Sequence, residues 1–579
     1  MLHEEARGSG EATSVMPARV AGASSIFDRF FAAGGVAFAR ARKALARADR
    51  YDLATALFIG ALVVLAAVTL TDYAISNDEE VQQHYAELIV AYYRSGFTDD
   101  TLFYFRNLYL YGGLFDLVAL GVQKLVPLDP YTVRHLLTAL TGVDAIAAVW
   151  ATARAIGGSR AAFLAVAAIA LCGTWYGAMF NHTKDIPFAA AMMAATYVLL
   201  RIGRELPHPP WRLVVSFGVL LGCALGIRVL GLFLVGYALF VVAAHAPVGR
   251  GASWREAMTF AARSALPLSA ALVLAYVIMI AAWPWAAVAP LNPLRAVFQF
   301  TDFHYKIRTI LDGHIYYMAD VPRWYEPTYM AIKLTLVLLI GAGLALVFAI
   351  LPRRAGQMAD TTSRKEIALI TLAALLPLIC DVIVSGPAFS GMRHLLFTVP
   401  PIAVLAGLGL DAGLRRLEAR HRLAAAFGAA LLVLGLGYDA STLYRLHPDE
   451  YLFFNPLVGG LAGASGRYDT DYWVNIMPEA VGDLEHFLDR TEGVVGKRAP
   501  RQRYLVAVCG ERLPFEKEAD ARLEWTRDVR RAEFFIAPTH MNCDRALDGN
   551  VVANIERLGV VIGVVKDRRA LLRSVAGLN

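Results

Sequence analysis

The stretch LATALFIGALVVLAAVTL, residues 53–70, decides the class of fold because it is almost entirely apolar and carries no charged side chain. A helix of about 20 such residues spans the hydrocarbon core of a bilayer, which is roughly 30 Å thick. Similar runs recur along the 579-residue chain, which is 57% hydrophobic and only 18% charged. This composition excludes a soluble multidomain enzyme and predicts a polytopic α-helical membrane protein.

Hydropathy along the whole chain predicts about eleven transmembrane helices. They lie near 52–75, 130–153, 160–180, 185–203, 212–226, 229–246, 263–283, 327–351, 366–384, 392–411 and 422–441. Cytoplasmic loops are rich in Lys and Arg, and eleven crossings with the N-terminus inside place the basic clusters between the spans on that one side. The net charge of +6 therefore reflects membrane topology and not nucleic-acid binding.

This topology divides the chain into parts. Residues 1–51 form a basic cytoplasmic tail without the pattern of a cleaved signal peptide, and residues 52–444 form the transmembrane domain. Two large loops, 76–129 and 284–326, lie on the outer side. The segment 107–126 is predicted as an amphipathic helix at the outer interface, because a span there would move every later basic cluster outside.

The C-terminal segment 445–579 differs in character and is predicted to be a small extracytoplasmic α/β domain. Short strand-like runs stand at 503–509, 532–538 and 559–567, bounded by Gly, Pro or charged residues. Cys509 and Cys543 lie here, whereas the other three cysteines lie within predicted spans. The two outer cysteines are the sensible disulfide pair in an oxidising compartment, and two unpaired buried thiols are the alternative.

Acidic residues at the outer ends of spans are the first candidates for chemistry. NDEE, residues 77–80, follows the first span and contains Asp78 and Glu79. FNHTKDIPFA, residues 180–189, forms the turn between the third and fourth spans and contains Lys184 and Asp185. Acids beside an apolar wall suit a base that activates a hydroxyl nucleophile. A solvated loop and an ordinary polar turn are the alternatives.

Basic residues also occur at the outer side. Arg228 stands in GIRVLG, residues 226–231, and Arg393 and His394 stand in SGMRHLLF, residues 390–397. These arginines either extend to lipid headgroups or bind a lipid phosphate, for which the guanidinium group is suited.

The second outer loop and the span interiors add further candidates. The loop contributes His304, Lys306 and, in PRWYEPTYM, Tyr325. Its histidines lack metal-ligand spacing, so no metal is assigned. Asp144 and Asp381 lie inside predicted spans, where we favour a structural role as partners of hydroxyls or arginines between helices.

The order of these motifs resembles that of the GT-C membrane glycosyltransferases. It comprises an acidic pair after span one, the KDIPF turn, GIRVLG, the WPW at 283–285 and MRHLLFTVPP at 392–401. The similarity is to family 39, the group with the protein O-mannosyltransferases and the lipid A aminoarabinose transferase. FNPLVGGLAGASGRYDTDYW, residues 454–473, is similar to the segment that opens the extracytoplasmic tail in bacterial members.

The resemblance implies a GT-C fold and an inverting transfer of a sugar from a polyprenyl-phosphate donor to an acceptor hydroxyl. The reaction would take place at the periplasmic face of a bacterial inner membrane. Asp78, with Glu79 adjacent, maps onto the family's base, and Asp185 onto a supporting acid. Donor phosphate binding maps onto Lys184, Arg228, Arg393 and His394, and substrate-loop contacts are expected from His304, Lys306 and Tyr325. The sequence NHTKD departs from the NPKD form common in the family.

No cofactor and no obligatory divalent metal are expected, because cations at the outer side can stabilise the leaving lipid phosphate. A transporter or flippase of lipid-linked sugars is the main alternative, and a non-catalytic assembly protein is another. A transporter is expected to show related halves, and the sequence shows no such repeat. The sequence leaves open the sugar, for example mannose or aminoarabinose, and the acceptor, which is a protein, a lipid or a glycan.

Overall fold

The structure is a computed structural model that describes residues 49–247, 253–301, 306–350, 361–492 and 503–575. The chain divides into a short unit, residues 1–53, and a main unit, residues 54–579. Most of the predicted cytoplasmic tail, 1–51, lies outside the described residues. Everything that follows the first helix belongs to the main unit.

Seven helices in the described ranges are long and apolar enough to cross a membrane. They are Arg50–Val68, Pro130–Gly157, Asp185–Glu205, Trp254–Ala282, Ser363–Val384, Arg393–Glu418 and Arg422–Leu446. Two bent helix pairs also pass this test together, Ser159–Ala170 with Gly173–Asn181 and Tyr325–Lys333 with Leu336–Ile350. The pairs bend by 65° and 111° respectively.

Each predicted span coincides with one of these helices or pairs, or with one of two shorter apolar helices. The shorter helices are Trp211–Leu225 and Val229–His245. At a rise of about 1.5 Å per residue, the 15 residues of Trp211–Leu225 cover only about 22 Å, less than a hydrocarbon core. The predicted helical membrane architecture is confirmed, and the broken and shortened helices are the features that hydropathy does not predict.

The core lies around two of the seven helices, Asp185–Glu205 and Arg393–Glu418, which are the most buried. Their N-terminal ends meet, and the rings of Phe188 and Phe397 lie 5.1 Å apart between centroids. Small residues allow other helices to approach closely, since a Cβ at Gly409 would collide with the backbone of Gly341. The first residues of the two central helices, Asp185 and Arg393, therefore lie in the interior.

The two loops that the sequence predicts on the outer side also form regular structure. Loop 76–129 contains helices Glu79–Arg94 and Leu114–Gln123, and loop 284–326 contains Pro284–Val288 and Asn292–Thr301. A hairpin of two antiparallel strands, β1 (Arg308–Leu311) and β2 (His314–Tyr317), follows in the second loop. Phe115, Asp116 and Ala119 are buried on the helix Leu114–Gln123, so this predicted amphipathic helix packs one face against the protein.

The C-terminal segment contains a five-stranded mixed sheet with the order β4-β3-β5-β7-β6. Its strands are β3 (Tyr504–Val508), β4 (Leu523–Trp525), β5 (Phe534–Pro538), β6 (Asn550–Arg557) and β7 (Val560–Asp567). β3 runs parallel to β4 and β5, and β7 runs antiparallel to β5 and β6. Helices Met477–Glu492, Arg512–Glu518 and Arg569–Val575 complete this α/β part, in agreement with the predicted fold class.

A disulfide joins Cys509 to Cys543 in this sheet domain, with Cα atoms 6.4 Å apart and 34 positions of separation. In the loop-entropy model a closed loop of this size stabilises the folded state by about 3–4 kcal/mol. We expect peptide mapping without reductant to recover the linked pair, and we expect the Cys509→Ser/Cys543→Ser variant to melt at a lower temperature. Recovery of both residues as free thiols from folded protein would refute the linkage.

Candidate active site

The candidate site is built on the turn between helices Gly173–Asn181 and Asp185–Glu205, whose residues His182, Thr183 and Lys184 are all buried. Pro187 stands in the first turn of the second helix, where a missing N–H breaks no helical hydrogen bond. The first helix packs tightly against the C-terminal segment, since a Cβ at Gly177 would collide with the backbone of Tyr451. The turn is therefore fixed from both sides.

A chain of four charged side chains surrounds this turn. Asp185 forms an ion pair with Arg228, which follows the short helix Trp211–Leu225. The second carboxylate oxygen of Asp185 lies 4.0 Å from Nε of Arg393. Nη2 of Arg393 donates a 3.1 Å hydrogen bond to Oδ2 of Asp78. Segments distant in sequence thus converge in one cluster, Arg228–Asp185–Arg393–Asp78.

Exposure differs sharply within this cluster. The side chain of Asp78 is 44% exposed, whereas those of Asp185, Arg228 and Arg393 are 5%, 9% and 11% exposed. Asp78 is therefore the carboxylate that an incoming acceptor can reach. The three buried members form the interior wall behind it.

Two aromatic rings hold the guanidinium group of Arg393. Its central carbon lies 4.5 Å from the ring centroid of Trp473 and 5.3 Å from that of Phe389. Such cation–π contacts are worth about 2 kcal/mol when desolvated. The sequence motifs assign no role to Trp473, and the adjacent aromatic pair in DTDYW, residues 469–473, is the signal that points to it.

Trp473 also connects this arginine to the turn. Its Nε1 donates a 2.9 Å hydrogen bond to Nε2 of His182, which also lies 3.0 Å from the hydroxyl of Tyr472. Burial and the nearby Arg393 hold the pKa of His182 well below its usual value, so the ring is neutral. Nδ1, 3.0 Å from Oδ1 of Asn181, then carries the proton and donates it.

Lys184 lies beside the cluster with its ammonium group 4.4 Å from the ring centroid of Tyr111. Within the described residues, Nζ of Lys184 has no hydrogen-bond acceptor. Burial lowers the pKa of Lys184 from its usual value. Asp116 and Asp78 attract this cation electrostatically but accept no hydrogen bond from it, so it has the capacity to bind an anion.

The structure does not bring Glu79 into this cluster, although it is adjacent to Asp78. Glu79 is fully buried and accepts hydrogen bonds from the backbone and hydroxyl of Ser76, at 2.7 and 3.0 Å. Nε2 of His135 lies 3.1 Å away. Glu79 begins a helix, in which successive side chains point about 100° apart, and this separates it from its neighbour.

The other predicted site residues are distributed differently. His394 lines a cavity next to the cluster, together with Arg228. Tyr325 is buried and donates a 3.0 Å hydrogen bond to Asp469, and its hydroxyl accepts from the backbone N–H of Gly391. Lys306 is exposed, and His304 lies outside the described residues.

The two intramembrane acids also differ from each other. Asp144 is exposed on its helix and makes no hydrogen bond with the residues described, so the expected partner role between helices is wrong for it. Asp381 lines the same cavity as His394. Across the described ranges, no group of three or more His, Cys, Asp or Glu side chains is arranged to hold a metal ion.

Solved structures of low sequence identity resemble this chain. ArnT from Cupriavidus metallidurans bound to undecaprenyl phosphate is 16% identical, with a TM-score of 0.45 over 89% of this chain and 98% of that chain. The apo oligosaccharyltransferase of Archaeoglobus fulgidus is 12% identical, with a TM-score of 0.46 over 83% of this chain and 69% of that chain. AglB from the same organism, in complex with an inhibitory peptide and a dolichol-phosphate, is 13% identical. Its TM-score is 0.43 over 83% of this chain and 69% of that chain. No curated protein matches the chain.

A family match covers the turn and the first arginine of the cluster. Residues 129–285 match the family described as dolichyl-phosphate-mannose-protein mannosyltransferase. The matched range contains Lys184, Asp185 and Arg228 and ends at the WPW motif. Over these residues the match confirms the resemblance to the protein O-mannosyltransferases that the order of motifs predicts.

Proposed function

We propose that this protein is an inverting glycosyltransferase that moves a sugar from a polyprenyl-phosphate donor to an acceptor hydroxyl. The observation that carries the proposal is the position of Arg393, which contacts the half-exposed Asp78 on one side and the buried Asp185 on the other. A phosphate-binding cation is thereby placed within contact distance of a candidate base. The family match to dolichyl-phosphate-mannose enzymes supports the same donor class.

The charges of the cluster, taken together with the neighbouring Lys184, favour one phosphodiester anion. Lys184, Arg228 and Arg393 supply three positive charges, and Asp78 and Asp185 supply two negative charges. One positive charge remains, which a single phosphodiester neutralises. Buried charges are stable only when paired, so the cluster is complete when the donor is bound.

In the proposed reaction the acceptor oxygen attacks the anomeric carbon from the face opposite the phosphate. The bond from the anomeric carbon to the phosphate oxygen breaks, and the electron pair leaves with the polyprenyl phosphate. Asp78 takes the proton of the acceptor hydroxyl late in this step. Lys184, Arg228 and Arg393 stabilise the negative charge that develops on the leaving phosphate, so we propose that no divalent metal is obligatory.

Donor binding also prepares the base in this proposal. In the structure Arg393 donates a hydrogen bond to Asp78, which holds this carboxylate in an ion pair. A bound phosphate competes for the same guanidinium donors. The loss of this partner frees the carboxylate of Asp78 for the acceptor hydroxyl, so the base becomes available only when a sugar is present to transfer.

The pH dependence of donor binding follows from Lys184. Because burial lowers the pKa of Lys184, its charge is lost at a lower pH than that of an ordinary lysine, for which the pKa is about 10.4. We expect the donor KM to rise with increasing pH through this transition. Lys184→Arg keeps its charge and is expected to move the rise to higher pH. Identical pH profiles of KM for the two proteins would contradict this role.

We further propose that the site lies on the periplasmic side of the bacterial inner membrane, with the N-terminus cytoplasmic and the C-terminus periplasmic. Leu125 and Leu457 are exposed, at 82% and 66%, and Arg420 is exposed in the turn between the helices Arg393–Glu418 and Arg422–Leu446. Single cysteines at 125 and 457 should react with an impermeant thiol reagent from outside, and a cysteine at 420 should be protected. The reverse pattern would overturn the orientation.

The experiment that separates this function from transport uses purified protein and a polyprenyl-phosphate donor labelled in its sugar. A transferase breaks the bond between sugar and phosphate and releases polyprenyl phosphate. A transporter or flippase leaves the bond intact while the lipid changes leaflet. An intact donor after incubation with an acceptor-containing membrane extract would contradict the proposal.

A further inference from the structure

A cavity of about 270 Å³ adjoins the ion cluster and is not used by the mechanism above. Its wall includes Arg228 and His394 and, from different helices, the carboxyl groups of Glu326 and Asp381. Cys380 also lines this cavity. The same cavity is therefore lined by Arg228, which we propose to bind phosphate, and by two acids.

Glu326 is the most unusual group in this wall. It is 2% exposed, and its Oε2 has no hydrogen-bond partner among the residues that the structure describes. A buried carboxyl oxygen without a partner is costly, and a ligand that donates a hydrogen bond removes this cost. The cavity is thus lined by a buried carboxyl group with one unpartnered oxygen.

Most of the remaining wall is apolar or aromatic and includes Tyr111, Phe233, Phe300 and Phe389. A hydrocarbon tail suits such rings but leaves the carboxyl group of Glu326 unsatisfied. The volume lies just below the range of small-molecule pockets, about 300–1,000 Å³, and holds only a small part of a long polyprenyl chain. A sugar ring satisfies both parts of the wall, because its C–H faces pack on aromatic rings and its polar groups reach the acids.

We propose that this cavity binds the glycosyl group of the donor, and that Glu326 and Asp381 accept hydrogen bonds from a donor group on the sugar. That group is a hydroxyl or an ammonium, since both satisfy a carboxyl acceptor. The inference rests on the proposed function for the nature of the donor. It adds a position for the sugar and two specificity-determining residues.

The test uses the reactivity of Cys380 toward N-ethylmaleimide in the intact protein, with Cys223 as an internal control. Both thiols are partly exposed, and Cys223 does not line the cavity. The probes are short-chain polyprenyl phosphate, its mannosyl derivative and its aminoarabinosyl derivative. At ten times the Kd, a bound sugar should slow alkylation of Cys380 roughly 10-fold, because the free fraction falls by this factor. Cys223 should not change.

The probes distinguish the occupants of the cavity. Protection of Cys380 by a sugar-bearing probe and not by polyprenyl phosphate supports the glycosyl pocket. Equal protection by polyprenyl phosphate alone would assign the cavity to the lipid chain and overturn the proposal, as would the absence of protection by any probe. Transfer of labelled sugar is measured separately, so a protein that transfers sugar without protecting Cys380 contradicts only this inference.

A variant identifies the recognised group. Glu326→Gln keeps the size of the side chain but removes its charge. If the recognised sugar group is an ammonium, the concentration of the aminoarabinosyl probe that half-protects Cys380 should rise about 10-fold or more. A smaller rise with the mannosyl probe indicates a hydroxyl. Asp144→Asn is the matched control, because this acid is exposed on another helix. Unchanged protection by both sugar probes in Glu326→Gln would remove Glu326 from the pocket.

Discussion

Asp78→Asn is expected to lower kcat by about 100-fold or more while donor affinity is largely kept. The amide has the size of the carboxylate and still accepts the hydrogen bond that Arg393 donates at 3.1 Å, so the cluster keeps its geometry. It has lost the basicity that removes the acceptor proton. Steady-state kinetics with a labelled polyprenyl-phosphate sugar measure both parameters.

The control for Asp78→Asn is Glu80→Gln, since Glu80 is an exposed acid in the same NDEE sequence and makes no contact with the cluster in the described structure. This variant should retain normal turnover. Near-normal turnover in folded Asp78→Asn protein would remove Asp78 from the proposed mechanism. Glu79 does not replace it, because this carboxylate is fully buried and out of reach of an acceptor.

Arg393→Ala is expected to raise the donor KM by about 10–100-fold, because a charge-assisted contact with the phosphate is lost. Arg393 is also the cation between Asp78 and Asp185, so its removal leaves two carboxylates without their shared partner. Arg393→Lys keeps the charge without the planar fork, and its KM should lie between those of Arg393→Ala and the wild type.

Stability and catalysis are separated by a second set of measurements on the Arg393 variants. Arg323→Ala serves as the control, because Arg323 is an exposed arginine on the second outer loop. Thermal melting reports any loss of folding, and KM is compared only between folded proteins. An unchanged donor KM in folded Arg393→Ala would exclude Arg393 from phosphate binding.

The sequence predicts much of the fold because apolar runs and basic clusters are local signals. Each predicted span coincides with a helix or a bent helix pair, but hydropathy contains no information on the 65° and 111° bends. The sheet domain was predicted from alternating runs. The hairpin β1–β2 was missed because its strands contain only four residues each.

In the candidate site, too, local sequence signals predict some residues, and contacts between distant segments determine others. Asp78, Asp185, Arg228 and Arg393 were selected by their positions at span ends, and the structure brings these four together. Trp473 was missed because its contacts with Arg393 and His182 join segments far apart in the sequence. Glu326 is not predicted either, because the cavity that it lines is formed by residues from several distant segments.

The most direct test of the central claim is a structure of the wild-type protein with polyprenyl phosphate bound. The account predicts phosphate oxygens within hydrogen-bonding distance, about 3 Å, of Nζ of Lys184 and of the guanidinium group of Arg393. It also predicts that the 3.1 Å contact between Arg393 and Asp78 is broken. A phosphate bound away from these cations, with the contact between Arg393 and Asp78 intact, would contradict the account.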